Sequence, residues 1–502
     1  MTTRTVDSLM IMKKIPLLNL ISRPCSIGLA CALLLAGCAV GPDYVRPKDV
    51  LPNAHTEEPL TLAAAPQGEV TQQFVAGRDI PAQWWELFHS EPLNNLITDS
   101  LKHNPTISAA QAALRQAQEN KEAQVGAYFP TVSASYTPTR QKVTSDLATS
   151  AASGNYLYNL HTAQLSISYA PDVFGLNRRQ VEGLQAQVDT QQYQLQAAYL
   201  TVTTNVATAA ITEAALRAQL TALNDVLVIQ KKTLESTLRQ LALGQVGQLD
   251  VATQESAVAN AQAAIAPIQK QLAQQRDLIK ALAGRFPDDT STPKFELDSL
   301  QLPAEIPLTL PSTLVEHRPD ILAAEAQLHA ASAQVGVAVA NRLPNIALGV
   351  ESYGSAAYSL SNLFKSSTVF WNLAGSITQP IFDGGTLKHR QGAAEAAYQQ
   401  AEAQYRSTVI SAFQNVADAL QAIQADAFAL QANKNAEAAA AKTYAIAQQQ
   451  LALGDISPMA LLTAQQNYQQ AKVALAQAQA NRYADTVALF QALGGGWWNT
   501  AK

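Results

Sequence analysis

The chain is written twice, and that duplication limits its possible folds more than any other feature. Leu241-Ala242-Leu243-Gly244 returns 210 positions later as Leu451-Ala452-Leu453-Gly454. Each copy lies between long Ala/Gln/Leu-rich stretches and ends on glycine, the usual residue just past a helix C-terminus because it reaches left-handed backbone cheaply. Each therefore reads as the tip of a helical hairpin. The flanks repeat as well. Pro171-Asp172-Val173-Phe174-Gly175 precedes the first tip much as Pro380-Ile381-Phe382-Asp383-Gly384 precedes the second. Tyr128-Phe129-Pro130 matches Arg342-Leu343-Pro344, and Asn104-Pro105 matches Arg318-Pro319, both 214 positions apart. A repeat of this length is far beyond the ~20–50-residue units of solenoids.

Within each repeat the hydrophobic spacing predicts very long helices. Leu216, Leu220, Leu223, Leu227, Gln230, Leu234, Thr237 and Leu241 alternate steps of four and three. Val251, Gln254, Val258, Ala261, Ile265, Ile268, Leu272, Gln275, Ile279 and Leu282 do the same after the first tip, and Val409, Phe413, Val416, Leu420, Ile423, Ala427 and Leu430 in the second repeat. A sustained 3.5-residue spacing is a coiled-coil seam. At ~1.5 Å per residue, a helix over 175–242 is roughly 100 Å long, too long for a globular domain. Pro267 removes a helix hydrogen bond, so a kink is expected there.

Shorter segments alternate instead. Val132, Ala134 and Tyr136 interleave with Ser133, Ser135 and Thr137, and Leu165, Ile167 and Tyr169 with Ser166 and Ser168. The second repeat offers Ile346, Leu348 and Val350, then Leu373 and Ile377. Each run has the length of a tilted membrane-spanning strand, with Leu165, Ile167, Leu348 and Leu373 toward lipid and Ser166 and Ser168 away from it. A half-buried hairpin of a soluble sheet fits the same alternation. Four strands cannot close a barrel, and an open edge cannot sit in hydrocarbon, so a membrane role requires self-association.

The start of the chain reads as an export leader over 1–37. Arg4, Lys13, Lys14 and Arg23 make it basic, and Ile27–Leu35 is an apolar run too short to span a bilayer. It ends in Leu35-Ala36-Gly37-Cys38, the pattern of a lipoprotein processing site with Cys38 as the acylated residue; Ala39 follows it. Four basic residues against one acidic, Asp7, leave with the leader, taking the chain from net −5 to −8. Cys25 and Cys31 leave too, so no disulfide is expected. Residues 38–82 read as a lipidated tether and 83–284 as the first repeat. A proline-rich linker follows over 285–312, then the second repeat at 313–493 and a tail at 494–502. Trp84 and Trp85 are expected in a core rather than at a membrane interface.

No nucleophile elbow, zincin helix, phosphate loop or dinucleotide fingerprint is present in the sequence. The seven histidines lack metal-ligand spacing, and no basic patch suits nucleic acid. The expectation is a non-enzyme with no cofactor beyond the covalent lipid.

Taken together, Cys38 with Gly41-Pro42-Asp43-Tyr44, Trp84-Trp85, Arg318-Pro319-Asp320-Ile321, Pro380-Ile381-Phe382-Asp383-Gly384-Gly385 and the two Leu-Gly tips resemble the TolC-like outer membrane factors. The match is to their lipoprotein branch, which serves resistance–nodulation–division (RND) efflux systems. The resemblance implies a mostly α fold with a small membrane β-barrel: a homotrimer with four strands per protomer in one twelve-stranded barrel, and an α-helical barrel in the periplasm. It also implies a periplasmic adaptor protein and an inner-membrane RND pump as partners, with outer-membrane lipid around the barrel. Leu243, Gly244, Leu453 and Gly454 would be the adaptor-contacting tips. Relatives carry an aspartate where this chain has Thr463, so a gate here would draw on Asp455, Met459 and Leu462; Met459 and Leu462 could equally fill the hairpin seam. Export of proteins rather than small molecules, or a structural coiled-coil lipoprotein, are the alternative functions.

Overall fold

A computed structural model describes residues 40–47, 56, 72–142, 144, 157–308 and 311–499. The leader and Cys38 lie outside the described residues. The chain divides into two compact units. One holds Glu122–Gly183 and Ser332–Ala396 with the described part of Met1–Tyr44; the other holds Val45–Lys121, Leu184–Ala331 and Ala397–Lys502.

The elements repeat as the sequence does. A short strand β1 (Gln73–Ala76) and a 3-10 turn (Trp84–Phe88) lead into α1 (Glu91–His103), α2 (Pro105–Val125), β2 (Thr131–Lys142) and β3 (Leu157–Tyr169). The 67-residue α3 (Leu176–Ala242) and the 35-residue α4 (Gln248–Leu282) complete the first repeat. After β4 (Glu305–Leu308), α5 (Pro311–His317), α6 (Pro319–Ala340), β5 (Asn345–Ala357) and β6 (Val369–Thr378) come α7 (Thr386–Leu453), 68 residues, and α8 (Pro458–Ala492), 35 residues.

The long helices start and stop for local reasons that are the same in both repeats. Asp172 accepts backbone N–H bonds from Asn177 and Arg178, both at 2.9 Å, and so caps the start of α3. Asp383 does this for α7, accepting from Gly385 and Leu387 at 2.8 Å. At the first tip the Gly244 N–H bonds to Leu241 O and the Gln245 N–H to Gln240 O, a Schellman closure; Gly454 and Asp455 repeat it on Leu451 and Gln450. Both glycines are left-handed, at φ +70° and +80°.

Every predicted seam residue of α3, α4 and α7 is buried or half-buried. Two buried glutamines of the seam satisfy each other: Gln254 Nε2 donates to the Gln230 side chain and, at 3.3 Å, to its carbonyl. Pro267 lies inside α4, which continues as helix on both sides of it. Pro267 and Ala263 are both exposed, so the carbonyl the proline leaves unpaired faces water and the helix needs no break there.

A cluster of aromatic side chains sits within the largely aliphatic core of the second unit. Trp84 packs edge-on to Trp85 at 5.8 Å and against Phe490 of α8 at 5.4 Å, and both tryptophans are buried as expected. The segment between the repeats is part of this core rather than a passive connection. Phe295, Leu297, Leu300 and Ile306 are buried in it, and β4 pairs in parallel with β1.

Candidate functional site

One equivalent residue locks each repeat, Asn104 just before α2 and Arg318 just before α6, and both precede proline. Asn104 Nδ2 donates to Leu282 O at 2.8 Å, the last carbonyl of α4, while its Oδ1 caps α2 through the Thr106 N–H. Arg318 Nη1 donates to Ala492 O at 2.8 Å, the last carbonyl of α8, and to Ala412 O at 3.2 Å. Its other face makes a two-point pair with Asp320 at 2.8 and 2.7 Å. The Arg-Pro-Asp motif is therefore a helix-end clamp.

In the first unit the strands form one antiparallel sheet in the order β2-β3-β5-β6. Residues directly opposite in an antiparallel pair share a face. Val132, Ala134 and Tyr136 stand opposite Ile167, Leu165 and Ala163; Ile167 and Leu165 stand opposite Val350 and Tyr353; these meet Leu373 and Trp371. Leu348, opposite Tyr169 and Gly375, belongs to the same face. Leu165, Ile167, Leu348 and Leu373 thus lie together, as the alternation predicts. Ser166, Ser168, Ser352 and Asn372 occupy the other face.

One extra residue makes the sorting work. Between Val350 and Ser352 the register shifts, leaving Glu351 as a bulge that returns Tyr353 to the apolar face. The Glu351 carbonyl accepts from Ser166 Oγ at 2.8 Å. The apolar face is open: Trp371, Leu373 and Ile377 are 71, 69 and 73% exposed. A contiguous exposed apolar surface of this kind marks contact with lipid or protein. Among the described residues β2 and β6 each have one neighbour, leaving two free edges.

A second clamp holds the N-terminal segment to this unit. Arg179 of α3, 4% exposed at its side chain, donates through Nε to Val40 O at 3.1 Å. Its Nη2 reaches Gly41 O at 3.3 Å and Asp43 Oδ1 at 2.7 Å, and Nη1 pairs with Glu182 at 2.8 Å. Gly41, at φ +92°, rides directly on Gly336: a Cβ on Gly41 would lie 2.5 Å from the Gly336 Cα, and one on Gly336 2.8 Å from the Arg179 stem. Sequence reasoning missed this clamp, because an Arg in a long polar helix looks like a solvated charge.

At the tips, Leu243 and Leu453 are 73 and 77% exposed, and Gly244, Gly454 and Asp455 are exposed beside them. Met459 and Thr463 are also exposed, with Thr463 Oγ1 donating to Met459 O at 3.0 Å. Leu462, unlike the other three, is buried.

Farther along the same helices, burial pushes the Asp426 carboxyl up to about 7, with the Asp485 carboxyl beside it adding to the shift and Arg482 opposing it. Asp426 Oδ2 is buried without a hydrogen-bond partner. Among the described residues no group of three or more His, Cys, Asp or Glu side chains could hold a metal. No described helix is long and apolar enough to cross a membrane.

Comparison with known proteins agrees with this anatomy. The family model described as outer membrane efflux protein matches residues 96–285 and 310–495, one match per repeat. The toluene efflux pump outer membrane protein TtgC of Pseudomonas putida is 30% identical over 472 residues, covering 93% of this chain and 94% of that one. The outer-membrane channel OprN superposes with a TM-score of 0.81 at 26% identity, covering 92% of this chain and all of that one. The outer membrane protein VceC of Vibrio cholerae gives a TM-score of 0.76 at 28% identity, covering 83% and 99%. With its two repeats, its helical hairpins and its amphipathic sheet, the chain belongs to the outer membrane efflux protein family.

Proposed function

We propose that the protein is the passive outer-membrane conduit of a tripartite efflux system and works as a homotrimer exporting small toxic molecules. The observation that carries this is the four-stranded sheet, apolar on one face, polar on the other and open at both edges. Such a sheet is stable in hydrocarbon only when its edges are paired. Three copies supply twelve strands, enough for a closed barrel with a polar lumen.

Other parts take roles around that barrel. Cys38 carries the lipid, two residues before the segment that Arg179 holds. Leu243, Gly244, Leu453 and Gly454 meet a periplasmic adaptor protein, and an inner-membrane RND pump supplies the energy and chooses the cargo. The conduit needs neither catalysis nor a bound cofactor. Threefold symmetry turns any inward tip residue into a ring of three. Asp455 and Met459 form the constriction, Thr463 flanks it, and Leu462 holds the helices behind it. A strain lacking the gene should become more sensitive to toxic small molecules and recover when the gene is returned. Unchanged sensitivity across such compounds would contradict the efflux role.

A further inference from the structure

We infer that β6 of one copy pairs antiparallel with β2 of the next in a single register that sets Ile377 opposite Tyr136. This rests on the closed-ring reading above and adds to it the identity of the residues that meet across the subunit boundary.

The internal duplication supplies the register. Val132 stands opposite Ile167 in the first hairpin, and Ile346 opposite Ile377 in the second. β2 therefore corresponds to β5 and β3 to β6. Between the hairpins, Tyr169 pairs with Leu348 and Ile167 with Val350. Adding one more hairpin by the same step sets Gln379 opposite Ala134 and Ile377 opposite Tyr136. The strand faces check this independently, since Ile377 and Tyr136 both lie on the apolar face. A slip of one residue would set Ile377 against Ser135 or Thr137 on the polar face and turn one strand inside out. β2 pairs with β3 over all twelve residues without a shift, so it lacks the bulge that Glu351 makes in β5. The boundary then continues unbroken, with Gly375 opposite Pro138 and Leu373 opposite Arg140.

The segments flanking the strands carry the same message. Within one copy the turn Pro171–Gly175 and the loop Leu343–Asn345 border one cavity of about 580 Å³. Their counterparts across the boundary are the turn after β6 and the loop before β2. There Ile381 and Phe382 are each 91% exposed and Phe129 is 65% exposed. The step that pairs β6 with the next β2 brings these three side chains together, at the place where Val173, Phe174 and Leu343 line one cavity within a copy.

Disulfide trapping in outer-membrane vesicles tests the register on the full chain, whose other cysteines are only Cys25, Cys31 and Cys38. Opposed residues of antiparallel strands have Cβ atoms close enough for a disulfide, and diagonal ones do not. Ile377→Cys with Tyr136→Cys should give oxidation-dependent covalent dimers and trimers. The yield should be on the order of tenfold above Ile377→Cys with Ala134→Cys or with Pro138→Cys. Single-cysteine chains should give none. If that pair blocks assembly, Phe382→Cys with Phe129→Cys outside the strands decides, and should also cross-link. An intact oligomer that cross-links best at a shifted partner, or at neither pair, overturns the register and leaves the ring standing. A monomer on a native gel of the wild-type membranes removes both.

Discussion

Replacing Arg179 with Met keeps most of the buried stem and removes every charged contact of the N-terminal clamp. The side chain makes two bonds to the Val40 and Gly41 carbonyls and pairs with Asp43 and Glu182. Asp43 is 91% exposed, so its pair is screened and counts for little. Bonds from a charged donor are worth about 1.5–3 kcal/mol each, so the two to carbonyls alone give roughly 3 kcal/mol. At 1.4 kcal/mol per factor of ten, the docked segment should open on the order of 100-fold more often. The Val40 N–H, bonded to Phe174 O at 3.2 Å, reports that opening. Hydrogen–deuterium exchange of a peptide covering residues 39–46 should accelerate by about that factor, with the α3 peptides beyond it unchanged. Gly336→Val should act similarly by pushing the Arg179 stem away. Wild-type exchange rates at Val40 in Arg179→Met would refute the clamp.

Further outcomes follow from the sheet, the lipid site and the helices. Ile167→Lys puts a charge on the apolar face and should cost about 2–4 kcal/mol near mid-bilayer, cutting assembled protein in outer-membrane fractions. Ser168→Lys should assemble normally and change conductance; equal tolerance would mean the faces are misassigned. Cys38→Ala should abolish incorporation of labelled fatty acid, and retained label would exclude that residue as the acylation site. Asp426 is held protonated to about pH 7, above the ordinary carboxylate value near 4. The folded state therefore binds the extra proton, and stability should fall as pH rises from about 4 through 7. Asp426→Asn should flatten the melting temperature over that window; an unchanged slope would show that the carboxyl ionises freely.

Much of this was legible because the chain repeats itself. The tips, the seams and the strand faces each rest on local rules, glycine handedness, 3.5-residue spacing and alternation, and each appears twice. What stayed hidden depends on distant partners. Nothing near Arg179 signals that its guanidinium will meet Val40 and Gly41. β1 and β4 lie in stretches without periodicity, and their pairing joins residues more than two hundred positions apart. The Glu351 bulge hides because the alternation simply restarts after it. At the tips the sequence offered Leu462 to the constriction or to the seam alike; the structure shows that it is buried where Met459 is exposed.

Single-channel recording on the purified chain in planar bilayers tests the conduit most directly. The wild type should give discrete ion-conducting steps, held small by the exposed Asp455 and Met459 at the tips. Asp455→Ala with Met459→Ala should give larger steps from oligomers of unchanged size. Unchanged steps in the double variant would move the constriction elsewhere along the chain. No conductance from either protein, with normal oligomers inserted in the bilayer, would contradict the account of a membrane-spanning conduit.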